Sequence, residues 1–129
     1  MATQTRCDIT FTASILSRFL VNPAPAYIKS ARRVLQYLKG TIIYGITYKG
    51  IQGLDIRLYT DSDYAGDRDI YRSTSGYVSF VAGGPVLWQS KRQSVVAQSS
   101  TEAEYIAISE SAKEATWIHY LLEGLDYTG

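Results

Sequence analysis

Carboxylates that emerge from the end of a strand are placed for chemistry, and the chain has such a place in Leu58-Tyr59-Thr60-Asp61-Ser62-Asp63-Tyr64-Ala65-Gly66. Leu54, Ile56 and Leu58 alternate as one buried strand face, and the strand then runs into an acidic turn closed by glycine. An acid leaving a paired strand is held on rigid backbone rather than on a loose loop. A second acid, Glu104, stands at the start of a long helical pattern in Ser99-Ser100-Thr101-Glu102-Ala103-Glu104-Tyr105. Two carboxylates on two rigid elements are donors suited to a hard divalent cation. Each also has a plain structural reading: Asp61 can cap a turn, and Glu104 can complete a capping box with Thr101.

The elements around these acids follow from patterning. Residues 41–48 are rich in β-branched and aromatic side chains and read as a strand, joined by the hairpin-length loop Lys49-Gly50-Ile51-Gln52-Gly53 to a strand over 54–60. A third strand over 76–82 turns at Gly83-Gly84-Pro85 into a fourth over 86–90, and Lys91-Arg92-Gln93-Ser94 reads as a basic turn. The last helix opens with two overlapping capping boxes, Ser99 with Glu102 and Thr101 with Glu104. Along it Glu104, Ile108, Ser111, Ala115, Ile118 and Leu122 share one side, which puts Glu104 at the first turn of the sheet-facing stripe. Gly124 is the stop.

Upstream, Asp8 is placed to cap a helix over 9–20 that carries Ile9, Ala13, Leu16 and Leu20 on one face. Asn22-Pro23-Ala24-Pro25 ends it and starts a second helix over 25–39, with Ile28, Ala31, Leu35 and Leu38 as its buried side and Gly40 beyond its end. The pair predicts a helical hairpin. Lys29, Arg32, Arg33 and Gln36 share another side, readable either as a solvated face or as a phosphate-facing stripe.

With 46% hydrophobic and 19% charged residues in 129, the chain is globular in composition. A formal charge of +1 excludes any argument from bulk basicity to nucleic acid. The one cysteine, Cys7, excludes an internal disulfide. No apolar run approaches ~20 residues, so no membrane span is expected. The first residues lack a secretory signal's apolar core, and the expected location is intracellular, in cytoplasm or nucleus, not secreted. His119 reads as a surface or groove residue, Trp88 and Trp117 as core or, near Lys91 and Arg92, as an aromatic along a nucleic-acid groove, and Asp63 and Asp67 as turn residues or outer partners of the acids.

The wording of the motifs is more specific than their periodicity. Tyr59-Thr60-Asp61-Ser62-Asp63-Tyr64-Ala65-Gly66-Asp67, Arg72-Ser73-Thr74-Ser75-Gly76-Tyr77, Gly83-Gly84-Pro85-Val86-Leu87-Trp88-Gln89-Ser90-Lys91-Arg92-Gln93 and Ser99-Ser100-Thr101-Glu102-Ala103-Glu104-Tyr105 together resemble the ribonuclease H region of copia-type retrotransposon polyproteins. Arg6-Cys7-Asp8-Ile9, Leu16-Ser17-Arg18-Phe19, Asn22-Pro23 and Ala31-Arg32-Arg33-Val34-Leu35-Gln36-Tyr37-Leu38-Lys39-Gly40-Thr41 resemble the end of the reverse transcriptase module before it. The resemblance implies an α/β chain: residues 1–48 as a helical hairpin and strand from the end of that module, and residues 49–129 as the first half of a ribonuclease H-like fold, antiparallel strands plus a long helix.

It further implies hydrolysis of the RNA strand of an RNA/DNA hybrid by carboxylates holding two Mg²⁺ ions, with Mn²⁺ as substitute. Asp61 matches the first catalytic aspartate and Glu104 the catalytic glutamate. Lys91, Arg92, Arg68 and Arg72 are the expected phosphate contacts. The family continues past the helix with a strand bearing a third catalytic aspartate, and Asp126 is too close to the helix end to be that residue. The expectation is therefore a half-present site, inactive as this chain alone, or a noncatalytic or domesticated fragment that binds nucleic acid or protein. The strand edge left open at residues 54–60 is expected to pair with residues 42–48 or with another chain.

Overall fold

The computed structural model describes residues 2–49, 55–67 and 69–126. The chain divides into two compact units, Met1–Ile46 and Thr47–Gly129. The division falls at Ile46 and Thr47, where the sequence reading places it between Tyr48 and Lys49.

The first unit is helical. α1 (Ala2–Thr5) and a single 3-10 turn (Cys7–Ile9) lead into α2 (Thr10–Ser17) and α3 (Pro25–Gly40). Asp8 does not cap α2: the cap position is Ile9, with no side-chain hydrogen bond. The Asp8 carboxylate accepts instead from Arg6, at 3.0 and 2.7 Å, and from the Tyr37 hydroxyl at 2.8 Å. Arg6 also donates to Thr41 Oγ1, tying the entry of the unit to the end of α3. α2 stops at Ser17, short of residue 20, because its last turn tightens: Arg18 N–H donates to Ile15 and Phe19 N–H to Leu16. The Phe19 ring stacks on Tyr27 across the connection, with centroids 3.8 Å apart. α3 begins as expected, with Pro25 at its first position after the extended Ala24. It buries no residue fully, and Ile28 and Leu35, expected inside, are exposed.

The second unit is a three-stranded antiparallel sheet, order β1-β2-β3, with one long helix. β1 (Ile56–Asp63) pairs with β2 (Thr74–Val81) from Ile56↔Val81 to Asp63↔Thr74. β2 pairs with β3 (Gly84–Arg92) from Val81↔Gly84 to Thr74↔Arg92, with a bulge where the register passes from Ser79↔Leu87 to Phe80↔Pro85. The hairpin turns at Ala82 and Gly83, both with positive φ (52° and 81°), so Gly84 and Pro85 belong to β3 and not to the turn. This double left-handed turn has the hand that suits twisted antiparallel strands. Pro85 is tolerated because β3 is an edge strand and the bulge relaxes the ladder there. Lys91 and Arg92, expected in a turn, are the last two residues of β3.

α4 (Ser100–Gly124) packs on one face of this sheet. Its cap is Ser99, whose hydroxyl accepts from Glu102 N–H at 3.1 Å, while the Glu102 carboxylate accepts from Gln98 N–H at 2.7 Å. One box therefore forms, displaced outward by a residue; Thr101 lies inside the helix, so the second box does not form. The packed stripe is Ala103, Ala107, Ser111 and Ile118. Glu104 and Ile108 lie one position off it and are exposed, a correction to the sheet-facing placement of both. Opposite the stripe, Ser75 and Ser79 are buried, so the interface consists largely of small side chains that admit close approach of helix and sheet. Tyr77 lies on the same face, where burial and the neighbouring Glu114 carboxylate push its phenol up to about 12.

Residues 41–48 are not a strand. Residues 41–43 form a turn, residues 44–49 have no regular structure, and Ile42, Ile43 and Tyr44 are exposed. Strand propensity reflects burial on a pleated surface, and these side chains find none. Nor does the segment cover β1: Lys49 N–H donates to Ala82 O and the Tyr48 hydroxyl to Pro85 O, both at the β2–β3 end. Among the described residues β1 pairs with β2 alone. The expected loop over 50–53 and the strand start at Leu54 lie outside the described residues.

Candidate metal and nucleic-acid site

Asp61 is the sixth residue of β1, exposed, and opposite Gly76 in the ladder. Strand alternation sorts its neighbours. Leu58, Thr60 and Ser62 share the face of Ser75, Tyr77 and Ser79, on which α4 packs, whereas Tyr59, Asp61 and Asp63 share the opposite face with Val78 and Trp88. Tyr59 meets Phe80 edge-on there, with centroids 5.9 Å apart. Asp63 follows at the strand end, its carboxylate lying against Gly66; a Cβ at that position would run into it. A side chain there would need only the exposed Asp63 carboxylate to swing aside.

One buried side chain links the sheet to the acid-bearing helix. Gln93, 1% exposed and the residue after β3, donates through Nε2 to Ser75 Oγ and to Ala103 O, both at 2.9 Å. Its own N–H donates to Ser73 O at 2.8 Å. Ser75 is the ladder partner of Ser62, which follows Asp61, and Ala103 precedes Glu104. The Gln93 junction therefore ties β2 and the end of β3 to the start of α4, with Glu104 next to the bonded Ala103; Asp61 neighbours only Ser62, the ladder partner of Ser75, and lies on the sheet face away from α4. Among the described residues, however, no group of three or more His, Cys, Asp or Glu gathers in a geometry that could hold a metal ion. Sequence reasoning missed Gln93, because an amide between Arg92 and Ser94 reads as solvated; nothing in its type or spacing signals burial.

The expected phosphate contacts are scattered. Arg92 is engaged with Asp67 at 2.7 Å, and this bond holds the Asp67 carboxyl below its ordinary 3.8. Through it the β1–β2 loop is tied to the end of β3, and the same loop is braced by Ala65 N–H on Ser73 Oγ at 3.1 Å. Lys91 is exposed on β3, Arg72 is half-buried, and Arg68 lies outside the described residues. His119 is exposed and sits 3.3 Å from Glu123. Trp117 is 52% exposed, not core, while Trp88 is half-buried. Among the described residues no helix is long and apolar enough to cross a membrane.

No family model and no solved structure matches the chain. Curated relatives do. The chain is 40% identical over 121 residues to the retrovirus-related Pol polyprotein from transposon RE1 of Arabidopsis thaliana, covering 94% of this chain and 8% of that protein. It is 41% identical over 121 residues to the corresponding polyprotein from transposon TNT 1-94 of Nicotiana tabacum, covering 94% of this chain and 9% of the relative. Secreted RxLR effector protein 161 of Plasmopara viticola is 43% identical over 114 residues, 88% of this chain and 80% of the effector. The chain thus spans less than a tenth of the polyproteins and most of the effector.

Proposed function

The chain belongs to the copia-type retrotransposon Pol polyprotein family, and from that premise we propose that it is a ribonuclease H-like module, preceded by the end of a reverse transcriptase module, that binds RNA/DNA hybrids. In this reading Asp61 and Glu104 hold a divalent cation, Mg²⁺ with Mn²⁺ as substitute, which when bound supplies Lewis-acid chemistry at the phosphodiester of the RNA strand. Carboxylate oxygens fit such a cation. What supports the reading is that Asp61 and Glu104 stand on two rigid elements, the end half of β1 and the first turn of α4, in a chain 40% identical to a retrovirus-related Pol polyprotein.

Two carboxylates leave most of an octahedral shell to water, and no third ligand gathers with them among the described residues. We therefore expect weak cation binding and no detectable cleavage by this chain alone. The same observation, with the 80% coverage of a relative named as an effector, supports a second reading: a retroelement-derived fragment that acts as a noncatalytic binding module. The edge of β1 that no described residue pairs is then available to a further strand, from more polyprotein or from another chain. The place of action proposed for either is inside the cell.

Titration with Mg²⁺ or Mn²⁺ followed by NMR tests the site, with a labelled RNA/DNA hybrid incubated in parallel. Shifts should begin at Asp61 and Glu104, and the hybrid should stay intact. Shifts centred on Cys7 or His119 would overturn the metal assignment. Metal-dependent cleavage abolished by Asp61→Asn would overturn the expectation of inactivity and discard the noncatalytic reading.

A further inference from the structure

The formal charge of +1 conceals a division between the two units. Met1–Ile46 carries Arg6, Arg18, Lys29, Arg32, Arg33 and Lys39 against the single carboxylate of Asp8, a formal charge of +5 that leaves −4 for Thr47–Gly129. Asp8 does not offset the charge of α3, because Arg6 and the Tyr37 hydroxyl already occupy its oxygens. α3 has no acidic residue in its 16 positions. Lys29, Arg32, Arg33 and Lys39 are all exposed, and none of them forms an ion pair among the described residues.

Their spacing gathers them. Lys29, Arg32 and Arg33 lie at i, i+3 and i+4, with Gln36 on the same side and Lys39 at its margin, a stripe ~15 Å long at 1.5 Å per residue. Like charges three and four apart repel and weaken a helix, and they do so here without an internal counterion. Beside the stripe, Arg33 also rims a groove of about 360 Å³ that is lined by apolar Ile9 and Val34, by Ser30 and Tyr37, and by Asp8, whose carboxylate Arg6 pairs.

We propose that this side of α3 is the surface that docks a double-stranded nucleic acid, through its phosphates and without reading sequence. At ~3.4 Å of axis per phosphate on one strand, the stripe spans about four phosphates. Gln36 lies among the cations, exposed Ile28 and Leu35 border the stripe on one side and Tyr37 on the other, and the uncompensated positive charge is what matches a row of phosphates. The proposal goes beyond the functional reading above by moving docking away from Lys91 and Arg92, on a unit whose net charge repels phosphate. It rests on charge placement and does not need the metal site, so cleavage and metal titration neither support nor sink it.

The test is fluorescence anisotropy of the full chain with a labelled DNA duplex of arbitrary sequence. With up to four contacts the log–log salt slope is about −3.6, so affinity should fall about 10²-fold between about 50 and 200 mM salt. Lys29→Gln, Arg32→Gln, Arg33→Gln and Lys39→Gln combined should flatten that slope, while Arg72→Gln with Lys91→Gln leaves it. If circular dichroism finds the fourfold variant unfolded, the pairs Lys29→Gln/Arg33→Gln and Arg32→Gln/Lys39→Gln should each remove about half the slope. An unchanged slope in the α3 variants, its loss in the Arg72/Lys91 variant, no duplex binding by the wild type, or displacement of duplex by anionic vesicles would each overturn the proposal.

Discussion

Replacing Gln93 separates what its amide bonds from what its bulk fills. Gln93→Ala removes two Nε2 hydrogen bonds of 2.9 Å, each worth about 0.5–1.5 kcal/mol net. It also empties a site that is 1% exposed, where deleting side-chain atoms costs about another 1–2 kcal/mol in cavity and lost transfer energy. Against this, Gln93 Oε1 has no hydrogen-bond partner among the described residues, and its removal returns about 1 kcal/mol. The expected net loss is about 2–3 kcal/mol. Gln93→Met keeps the length, drops donors and orphan oxygen together, and should cost about 1 kcal/mol or less. Gln93→Glu replaces the amide donor with a carboxylate oxygen facing two acceptors in a buried site and should cost about 3 kcal/mol or more. Urea unfolding read by Trp88 and Trp117, both in the Thr47–Gly129 unit, gives the three values. The reasoning fails if Gln93→Ala costs under about 0.5 kcal/mol or if Met is as damaging as Glu.

Two further outcomes concern single carboxylates. Arg6 first, then Tyr37, hold the Asp8 carboxyl at about 2 against an ordinary 3.8, so this contribution is complete above about pH 4 and is lost as pH falls through 2. With 34% of the side chain exposed, screening leaves it at about 1 kcal/mol, and Asp8→Asn should remove that acid sensitivity; parallel melting profiles of the two proteins from about pH 5 to 2 would contradict it. Arg92→Gln should return the Asp67 carboxyl toward 3.8 by carbon-detected NMR titration, and an unmoved Asp67 would mean that other groups than Arg92 set it.

What was legible in the sequence was whatever a period or a cap encodes. The long last helix was read from Ser99 to Gly124, and the β2–β3 hairpin from its glycines, with strand ends misplaced by one or two residues. Residues 41–48 misled because β-branched composition states only that a strand would suit them, while a partner and a covered face decide whether one forms. Helical spacing alone puts Glu104 on one side with Ile108, Ser111, Ala115, Ile118 and Leu122, and the packed stripe lies one position away. The structure buries Ala103 and Ala107, and with Ser75 and Ser79 buried on the sheet the small side chains let helix and sheet approach closely. Asp61 and Glu104 do stand on the strand and the helix that the motifs assign them. The Gln93 brace was not legible, because burial of a turn-flanking amide is a tertiary fact.

The Ala82–Gly83 turn bears on the order in which the second unit assembles. Its strands are joined by two residues, so β2 and β3 meet at little loop-closure entropy and can zip on the ~1–10 μs scale of isolated hairpins. β1 must close the longer connection through Gly66 and Tyr71, and α4 reaches the sheet last in sequence separation. On a ribosome the hairpin would thus be formed before α4 has left the tunnel, and the sheet would wait for its lid with both faces bare. That interval exposes Tyr59, Phe80 and the serine row together, and makes the nascent unit most dependent on company at the moment when its own helix is still being made.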